Sequence, residues 1–313
     1  MHMRCLGLWI VLILGLTGCS NASAWLPVRV ATPTPAAESV AAAAPADDYD
    51  PVVPTATSVL GRLTFAGSTT VQPLVEQLRV GYQERYPQVD LEMAAGGSVV
   101  GINAVQDGSA DIGMASRELR ETEYRPGMER YQIAIDVLAI IVHPDNPIDD
   151  ISRAQLQGIY LGDITNWTEI GGADMPIMPV IREISSGTRG AFDDIALDGA
   201  DPVETADTQI TAGEVETRVA ETSEAIGYVG FGNIGQNVKV LTIDGVPPNP
   251  ETAQSGDYQL QRPLLLLLGP LSRPLACTFV TFALSDAGQT IVAADGWVPV
   301  AQTTPPPACS NTE

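Results

Sequence analysis

The amino-acid sequence predicts an α/β fold, and three observations support that prediction. Short apolar runs alternate with segments of helical periodicity, which is typical of parallel strands joined by crossover helices. The segment 71–86 spaces its apolar side chains about 3.6 residues apart and so presents one buried face. About 255 residues follow residue 58, enough for one large α/β unit or for two lobes with separate cores.

The expected elements follow one another along the chain in this order. A first strand, 63–66, precedes the helix 71–86, where Pro73 falls in the first turn and removes no needed hydrogen bond. A second strand, 89–93, precedes a helix at 99–106. The other expected strands are 133–142, 178–181, 226–230, 238–241 and 264–268, and the other expected helices are 153–160, 190–197, 214–221 and 285–294.

The first 58 residues are expected to lie outside this fold. Residues 1–18 contain one basic residue, small residues before Cys19, and an apolar run shorter than the ~20 residues of a membrane span, as in an export signal. The sequence Leu16-Thr17-Gly18-Cys19 resembles a bacterial lipobox, so Cys19 is expected to carry lipid; an ordinary secretory signal is the alternative. Residues 19–58 are rich in Ala, Pro, Thr and Ser and are expected to form a disordered tether.

The charge and the cysteines restrict the function further. With 16 basic and 38 acidic residues the chain carries a net charge of −22, which argues against nucleic acids and anionic membrane surfaces as partners. Any anion site must therefore work through local dipoles and hydrogen bonds. Cys277 and Cys309 are the cysteines left outside the N-terminal segment, and in an exported protein they could pair and fix the C-terminal tail, 302–313.

A recurring local pattern is the most informative feature of the sequence. Three times an apolar strand runs into a turn of Gly, Ser and Thr that opens a helix, at 66–70, 95–98 and 185–188. Such turns expose backbone N–H groups at the positive end of a helix, and three that converge would surround an oxyanion. Arg182 precedes the third turn closely enough to reach the same pocket. The alternatives are simple helix capping for the turns and an ion pair with Glu183 for Arg182.

A family resemblance rests on these turns and on other segments. The segments 65–74, 111–117, 164–167, 182–189, 225–229, 272–275 and 285–299 are similar, in this order, to those of the phosphate-binding proteins of ABC phosphate importers. The resemblance covers roughly residues 60–300. It implies a two-lobe periplasmic-binding-protein fold, type II-like, with two crossover hinge strands. Lobe 1 would comprise 59–139 and 229–301, and lobe 2 would comprise 140–228.

The resemblance also implies a function and a set of binding residues. The chain would be a monomeric lipoprotein that captures inorganic phosphate for the membrane subunits of an ABC importer. It would be periplasmic or lipid-anchored to the outer face of the cytoplasmic membrane. The phosphate ligands would be Ser68, Thr69, Thr70 and Ser98 from one lobe and Arg182, Ser186, Gly187 and Thr188 from the other.

One position departs from the pattern of well-known members. They place an aspartate, which accepts a hydrogen bond from protonated phosphate, where this chain has Arg117. An arginine has five donors and no acceptor. With Arg117 counted among the ligands, sulfate is expected to be rejected less severely than in aspartate-bearing relatives. In the alternative, Asp111 or Glu118 holds Arg117 away from the ligand.

Other chemistries find little support. The only histidines are His2 and His143, and no G-x-S-x-G elbow is present, so we expect no enzyme activity. Two spare cysteines and one histidine cannot build a zinc site, and no dinucleotide or Walker motif is present, so neither a metal nor a cofactor is expected. The remaining alternatives are a sensory or adhesive surface lipoprotein, a weak phosphatase, and a binder of sulfate or molybdate.

Overall fold

The computed structural model describes residues 59–300 of the chain. The strands there are β1 Gly61–Gly67, β2 Val89–Ala95, β3 Ile112–Ala115, β4 Glu129–Val142, β5 Asp150–Ile151, β6 Met178–Arg182, β7 Asp207–Gln209, β8 Ala225–Gly230, β9 Lys239–Val240, β10 Thr242–Ile243, β11 Gln261–Leu268 and β12 Val298–Pro299. The α-helices there are α1 Gln72–Arg85, α2 Ser98–Asp107, α3 Arg153–Leu161, α4 Gly187–Ala196, α5 Ala212–Ala220, α6 Pro250–Ser255, α7 Pro274–Ala283 and α8 Asp286–Ala294. The predicted α/β class is confirmed.

A continuous sheet runs through this part of the chain in the order β2-β1-β3-β11-β4-β8-β6-β7. β1 pairs in parallel with β2 and β3, and β6 pairs in parallel with β7 and β8. The long strand β4 pairs with β11 along its first part and with β8 along its last part, in both cases antiparallel. β4 therefore joins two halves, lobe 1 with β2, β1, β3 and β11, and lobe 2 with β8, β6 and β7.

Each lobe has its own hydrophobic core. In lobe 1 the side chains of Leu74 and Leu78 lie on the apolar face of α1. They pack with residues of the strands, such as Phe65 of β1, and with residues of α7. In lobe 2 the ring of Phe192 stacks on that of Tyr228 with centroids 3.9 Å apart. All five side chains are almost fully buried. Two separate cores are what a two-lobe fold requires.

The return of the chain to lobe 1 differs from the expected division at residue 229. Leu241, Ile243, Tyr258 and Leu260 are buried in the core of lobe 2. The reason is the pairing of β9 with the last part of β4, which holds the segment after β8 against lobe 2. By packing, the chain rejoins lobe 1 where β11 begins.

Two helices show how local sequence sets the element boundaries. α4 begins at Gly187, three residues before the predicted start, because Ser186 Oγ accepts a hydrogen bond from the Arg189 N–H at 3.3 Å and caps the helix. α7 was not predicted; it opens with Pro274, a residue favoured in the first turn of a helix. The four-residue strand β3 was not predicted either, because it is too short to show an alternating pattern.

Several predictions concern residues that the structure does not describe. The signal peptide, the lipid on Cys19, the tether to residue 58 and the tail from residue 302 all lie outside residues 59–300. Cys277 is disulfide-bonded, and no other cysteine lies within residues 59–300. Its predicted pairing with Cys309 therefore stays a prediction.

Residues 59–300 contain no single helix that is both long enough and apolar enough to cross a membrane. α7 and α8 meet those two requirements only together, and they are bent by 58° at their junction. In the same residues, no three His, Cys, Asp or Glu side chains come together as they would around a metal ion.

Candidate anion-binding site

Three buried serines of lobe 1 meet where its parallel strands end. Ser68 follows β1, Ser98 opens α2, and Ser116 follows β3. The Ser68 hydroxyl donates to Ser116 Oγ at 3.0 Å, and the Ser116 N–H donates to Ser98 Oγ at 3.0 Å. All three side chains are buried. The carboxyl ends of parallel strands are the usual ligand-binding edge of an α/β sheet, and the serines lie at that edge.

The start of α4 in lobe 2 lies directly against this serine cluster. A Cβ atom on Gly187 would lie 2.0 Å from Ser98 Oγ and 2.7 Å from Ser116 Oγ, so only glycine fits there. One residue further on, Thr188 Oγ1 lies 2.9 Å from Thr70 Oγ1. The N-termini of α1, α2 and α4 therefore converge on one place.

Hydrogen bonds across the rim hold the two lobes together. The Val99 N–H donates to the Ser185 carbonyl at 3.1 Å, and Ser185 Oγ donates to the Gly96 carbonyl at 3.2 Å. On another side of the cleft the Ala212 N–H donates to Thr69 Oγ1 at 3.4 Å. The lobes are therefore closed over the serine cluster.

Arg182 supplies a buried positive charge at the end of β6. Its side chain is only 2 % exposed, and one terminal nitrogen donates to the Ile210 carbonyl at 2.6 Å. The nearest Glu183 carboxylate oxygen is 4.0 Å away, and Arg182 Nε is buried without any hydrogen-bond partner. Burial lowers the pKa of the guanidinium, although the nearby Glu183 acts in the opposite direction. A buried N–H donor without a partner is costly, so this arginine suits an anionic partner.

The arrangement can bind an anion and offers little else chemically. Three helix N-termini, each of a helix of ten residues or more, contribute positive dipole ends. The serine and threonine hydroxyls add donors that can rotate to accept, and Arg182 adds charge. A tetrahedral oxyanion needs this combination of donors on several sides.

Arg117 is held by a carboxylate that sequence reasoning did not identify. Its terminal nitrogens donate to the two oxygens of Glu123 at 2.7 and 2.6 Å, and one also donates to the Glu118 carbonyl at 2.7 Å. Its stem lies against α4, where a Cβ on Gly190 would be 3.1 Å from Arg117 Cδ. Although burial opposes it, the Arg117 guanidinium holds the pKa of the Glu123 carboxyl below its usual value. Contact between Arg117 and a bound anion stays a prediction.

The side chain of Asp111 links secondary-structure elements within lobe 1. Its carboxylate accepts from the N–H and the hydroxyl of Thr64 at 2.9 and 2.8 Å and is ion-paired with Arg273. Its backbone N–H donates to the Thr64 carbonyl at 3.0 Å. Asp111 thus ties the start of β3 to β1 and to the start of α7, and it pairs with Arg273 rather than with Arg117.

Two residues near the site were not singled out from the sequence. Ser116 links Ser68 to Ser98, and its only signal was its place between a glycine-containing apolar run and Arg117. Tyr228 accepts a hydrogen bond from the Arg182 N–H at 3.3 Å and so helps to fix the end of β6. Nothing local in the sequence could have indicated the contact between Arg182 and Tyr228, because 46 residues separate them.

Comparisons with known proteins agree with this geometry. A family model described as a PBP superfamily domain matches residues 39–287. The chain is 35% identical over 244 residues to the phosphate-binding protein PstS of Bacillus subtilis. This match covers 77% of this chain and 81% of the relative. A structure from Clostridium perfringens, assigned as a phosphate ABC transporter substrate-binding protein with bound phosphate, has a TM-score of 0.74 and 34% identity and covers 77% of this chain and 100% of that one. An ABC-type phosphate transport receptor from Vibrio cholerae has a TM-score of 0.64 and 31% identity and covers 76% of this chain and 100% of that one.

Proposed function

Because this chain belongs to the phosphate-binding protein family of the PBP superfamily, we propose that it captures inorganic phosphate outside the cytoplasmic membrane for an ABC importer. The observation that carries the proposal is Arg182, a buried guanidinium whose Nε has no partner and which lies in the same lobe as the capped start of α4. Burying a cation is costly unless it is well paired, and the nearest carboxylate oxygen, of Glu183, is 4.0 Å from the guanidinium. A bound oxyanion would supply the closer partner that Nε lacks.

The proposed ligands come from both lobes, which explains why binding would favour the closed conformation. Lobe 1 would contribute Ser68, Thr69, Thr70 and Ser98, and lobe 2 would contribute Arg182, Ser186, Gly187 and Thr188. A ligand that contacts both lobes stabilises the state in which they are close together. The Thr70–Thr188 contact at 2.9 Å supports this assignment, because it brings the two helix starts to one point.

The binding test uses the purified mature chain and radiolabelled phosphate in equilibrium dialysis. We expect saturable binding of one phosphate per chain that unlabelled phosphate displaces and that sulfate and molybdate displace less well. Absence of saturable phosphate binding would contradict the proposal. Displacement by molybdate or sulfate at lower concentrations than by phosphate would instead assign a different oxyanion.

We also propose that the chain performs no chemistry on its ligand. The site has donors and one cation, and His143 follows β4 at its lobe 2 end, with its ring accepting from the Asp145 N–H at 3.2 Å. Within residues 59–300 the hydroxyls of Ser68, Ser98 and Ser116 hydrogen-bond to one another and to backbone N–H groups, so no general base there contacts them. A chromogenic phosphate ester should remain unhydrolysed above the buffer rate, and hydrolysis that Arg182→Met abolishes would show the proposal to be wrong.

The location and the partners follow from the same proposal. Cys19 would carry lipid at the mature N-terminus, the folded part would reach the importer's membrane subunits through the 19–58 tether, and the chain would act as a monomer. Mass spectrometry of the native mature protein is the direct check on the lipid. An unmodified N-terminus at another residue would exclude the lipid anchor while leaving phosphate capture intact.

A further inference from the structure

Another buried arginine, Arg262, lies between the lobes and has no place in the ligand set described above. Arg262 and Asp136 face each other on β11 and β4, with Arg262 Nε 2.9 Å and Nη2 2.6 Å from Asp136 Oδ2. Their side chains are only 1 % and 0 % exposed. The third nitrogen of the guanidinium, Nη1, is buried without a hydrogen-bond partner. Arg182 Nε is in the same condition, as are four other side-chain atoms of the described residues, among them Arg79 Nε on α1.

The strand registers place this pair at the ligand-binding edge of both lobes. In lobe 1, Leu265 of β11 pairs with Ala115 of β3, so the start of β11 passes beside the residues that follow β3. In lobe 2, the last residue of β8, Gly230, pairs with Leu138, two positions from Asp136. The Phe231 N–H, just beyond β8, donates to Asp136 Oδ1 at 3.0 Å. The pair therefore lies where the strands of both lobes end.

The alternation of side chains along β11 shows which face of lobe 1 Arg262 occupies. Leu264 and Leu266 are buried in the core that α1 covers. Because every second residue of a strand lies on the same face, Arg262 is on the side of the sheet from which α1 runs. The start of α1 follows Thr70.

The same reasoning applies to lobe 2. Ile140 of β4 pairs with Tyr228 of β8, and the Tyr228 ring stacks on Phe192 of α4. Alternation then places Asp136 on the face that α4 covers. The pair thus lies under the point where α1 and α4 begin, which is where Thr70 and Thr188 meet at 2.9 Å.

We propose that Arg262 is a further anion-binding residue, held by Asp136 so that its free Nη1 donates to the bound phosphate from the floor of the cleft. The inference rests on the proposed function of this site. Asp136 fixes the guanidinium through two of its nitrogens and leaves the third as a directed donor. Asp136 also neutralises the charge, so Arg262 contributes direction and Arg182 contributes net charge. Burial raises the pKa of Asp136, as expected for a fully enclosed carboxyl, although Arg262 acts to lower it.

The test compares phosphate affinity and unfolding of Arg262→Lys with those of the parent. A lysine keeps the positive charge and can pair with Asp136, but it loses the planar fork that leaves one donor free. We expect phosphate to bind about tenfold more weakly, the loss of one charge-assisted donor. The control is Arg62→Lys, which alters an arginine that also pairs with a carboxylate on the neighbouring strand, Glu92, but is exposed and away from the cleft edge. It should bind as the parent does.

A lower unfolding midpoint for Arg262→Lys with unchanged phosphate affinity would overturn the proposal and leave the pair a purely structural one. If that variant does not fold, the double variant Arg262→Gln, Asp136→Asn removes both charges together and should also bind more weakly; parent-like binding by it would equally overturn the proposal. Arg182→Met, measured in parallel, separates the two levels. If the parent binds phosphate, Arg182→Met does not and Arg262→Lys binds as the parent does, only the inference about Arg262 is rejected. If the parent itself binds no phosphate, the proposed function is rejected.

Discussion

Replacing Arg182 by methionine removes the charge of the proposed site while keeping most of the side-chain volume. In the parent, Arg182 is almost fully buried, donates one hydrogen bond to the Ile210 carbonyl and leaves Nε without a partner. The variant therefore takes away a buried, incompletely paired cation. It leaves the hydroxyls and the helix N-termini of the site in place.

The magnitude follows from the donors that the ligand would use. A hydrogen bond to a charged group contributes about 1.5–3 kcal/mol, and Nε offers one such bond. This corresponds to a dissociation constant about 10- to 150-fold higher in the variant. Stability without ligand should change little, because the lost bond to Ile210 is offset by removal of a charge that burial disfavours.

Titration calorimetry with phosphate measures the affinity, and thermal unfolding without phosphate measures the stability. Arg218→Met is the matched control, since Arg218 is a half-exposed arginine of the same lobe that pairs with Asp207. It should bind as the parent does. Parent-like binding by Arg182→Met, or a large fall in the unfolding midpoint of its ligand-free form, would refute the reasoning.

Three further predictions concern closure, pH and selectivity. Gly187→Ala should weaken phosphate binding more than tenfold, because the new Cβ would lie 2.0 Å from Ser98 Oγ and keep the lobes apart. Burial raises the pKa of Asp193 to about 6, so the stability that its protonated form contributes is present below its ordinary pKa and is lost as pH rises through about 6. The unfolding midpoint of Asp193→Asn minus that of the parent should therefore increase from pH 4 to pH 7. Arg117→Asp should sharpen the rejection of sulfate relative to phosphate in competition binding at pH 6 and pH 8.

Each of these has a result that would contradict it. For closure the control is Gly213→Ala, where a Cβ meets nothing within 4 Å, and equal affinities of the two alanine variants would show that Gly187 is not confined. A midpoint difference for Asp193→Asn that stays constant with pH would mean that the carboxyl titrates as in the unfolded chain. If the parent protein does not bind sulfate at all, the expectation that Arg117 weakens the rejection of sulfate is wrong.

The turns of the site could be predicted because their signals are local. Gly and hydroxyl residues between an apolar run and a helical pattern mark a strand end and a helix start, as for Ser68 and Ser98. Arg182 could be added because it lies four residues before Ser186 on the same connection. The structure brings these residues from two lobes to one place, which local signals alone could not show.

The rest of the site depends on contacts between residues far apart in sequence. Asp136 and Arg262 are separated by 126 positions, and their pairing depends on β11 being inserted between β3 and β4. The Glu123 side chain reaches Arg117 through a short 3-10 turn that has no hydrophobic periodicity. In the sequence, Arg117 and Arg262 are isolated basic residues, and their partners become evident only once the topology is known. The assignment of 239–260 to lobe 2 likewise depends on the β9–β4 pairing, which the sequence does not specify.

The most direct test of phosphate capture in this cleft is a crystal structure with arsenate, a tetrahedral analogue whose anomalous signal marks the anion. The account predicts one strong arsenic peak where α1 and α4 begin, within hydrogen-bonding distance of Arg182 Nε and of the residues at 68–70 and 186–188. A peak at another surface, or no peak in crystals of a closed form grown with saturating arsenate, would contradict it.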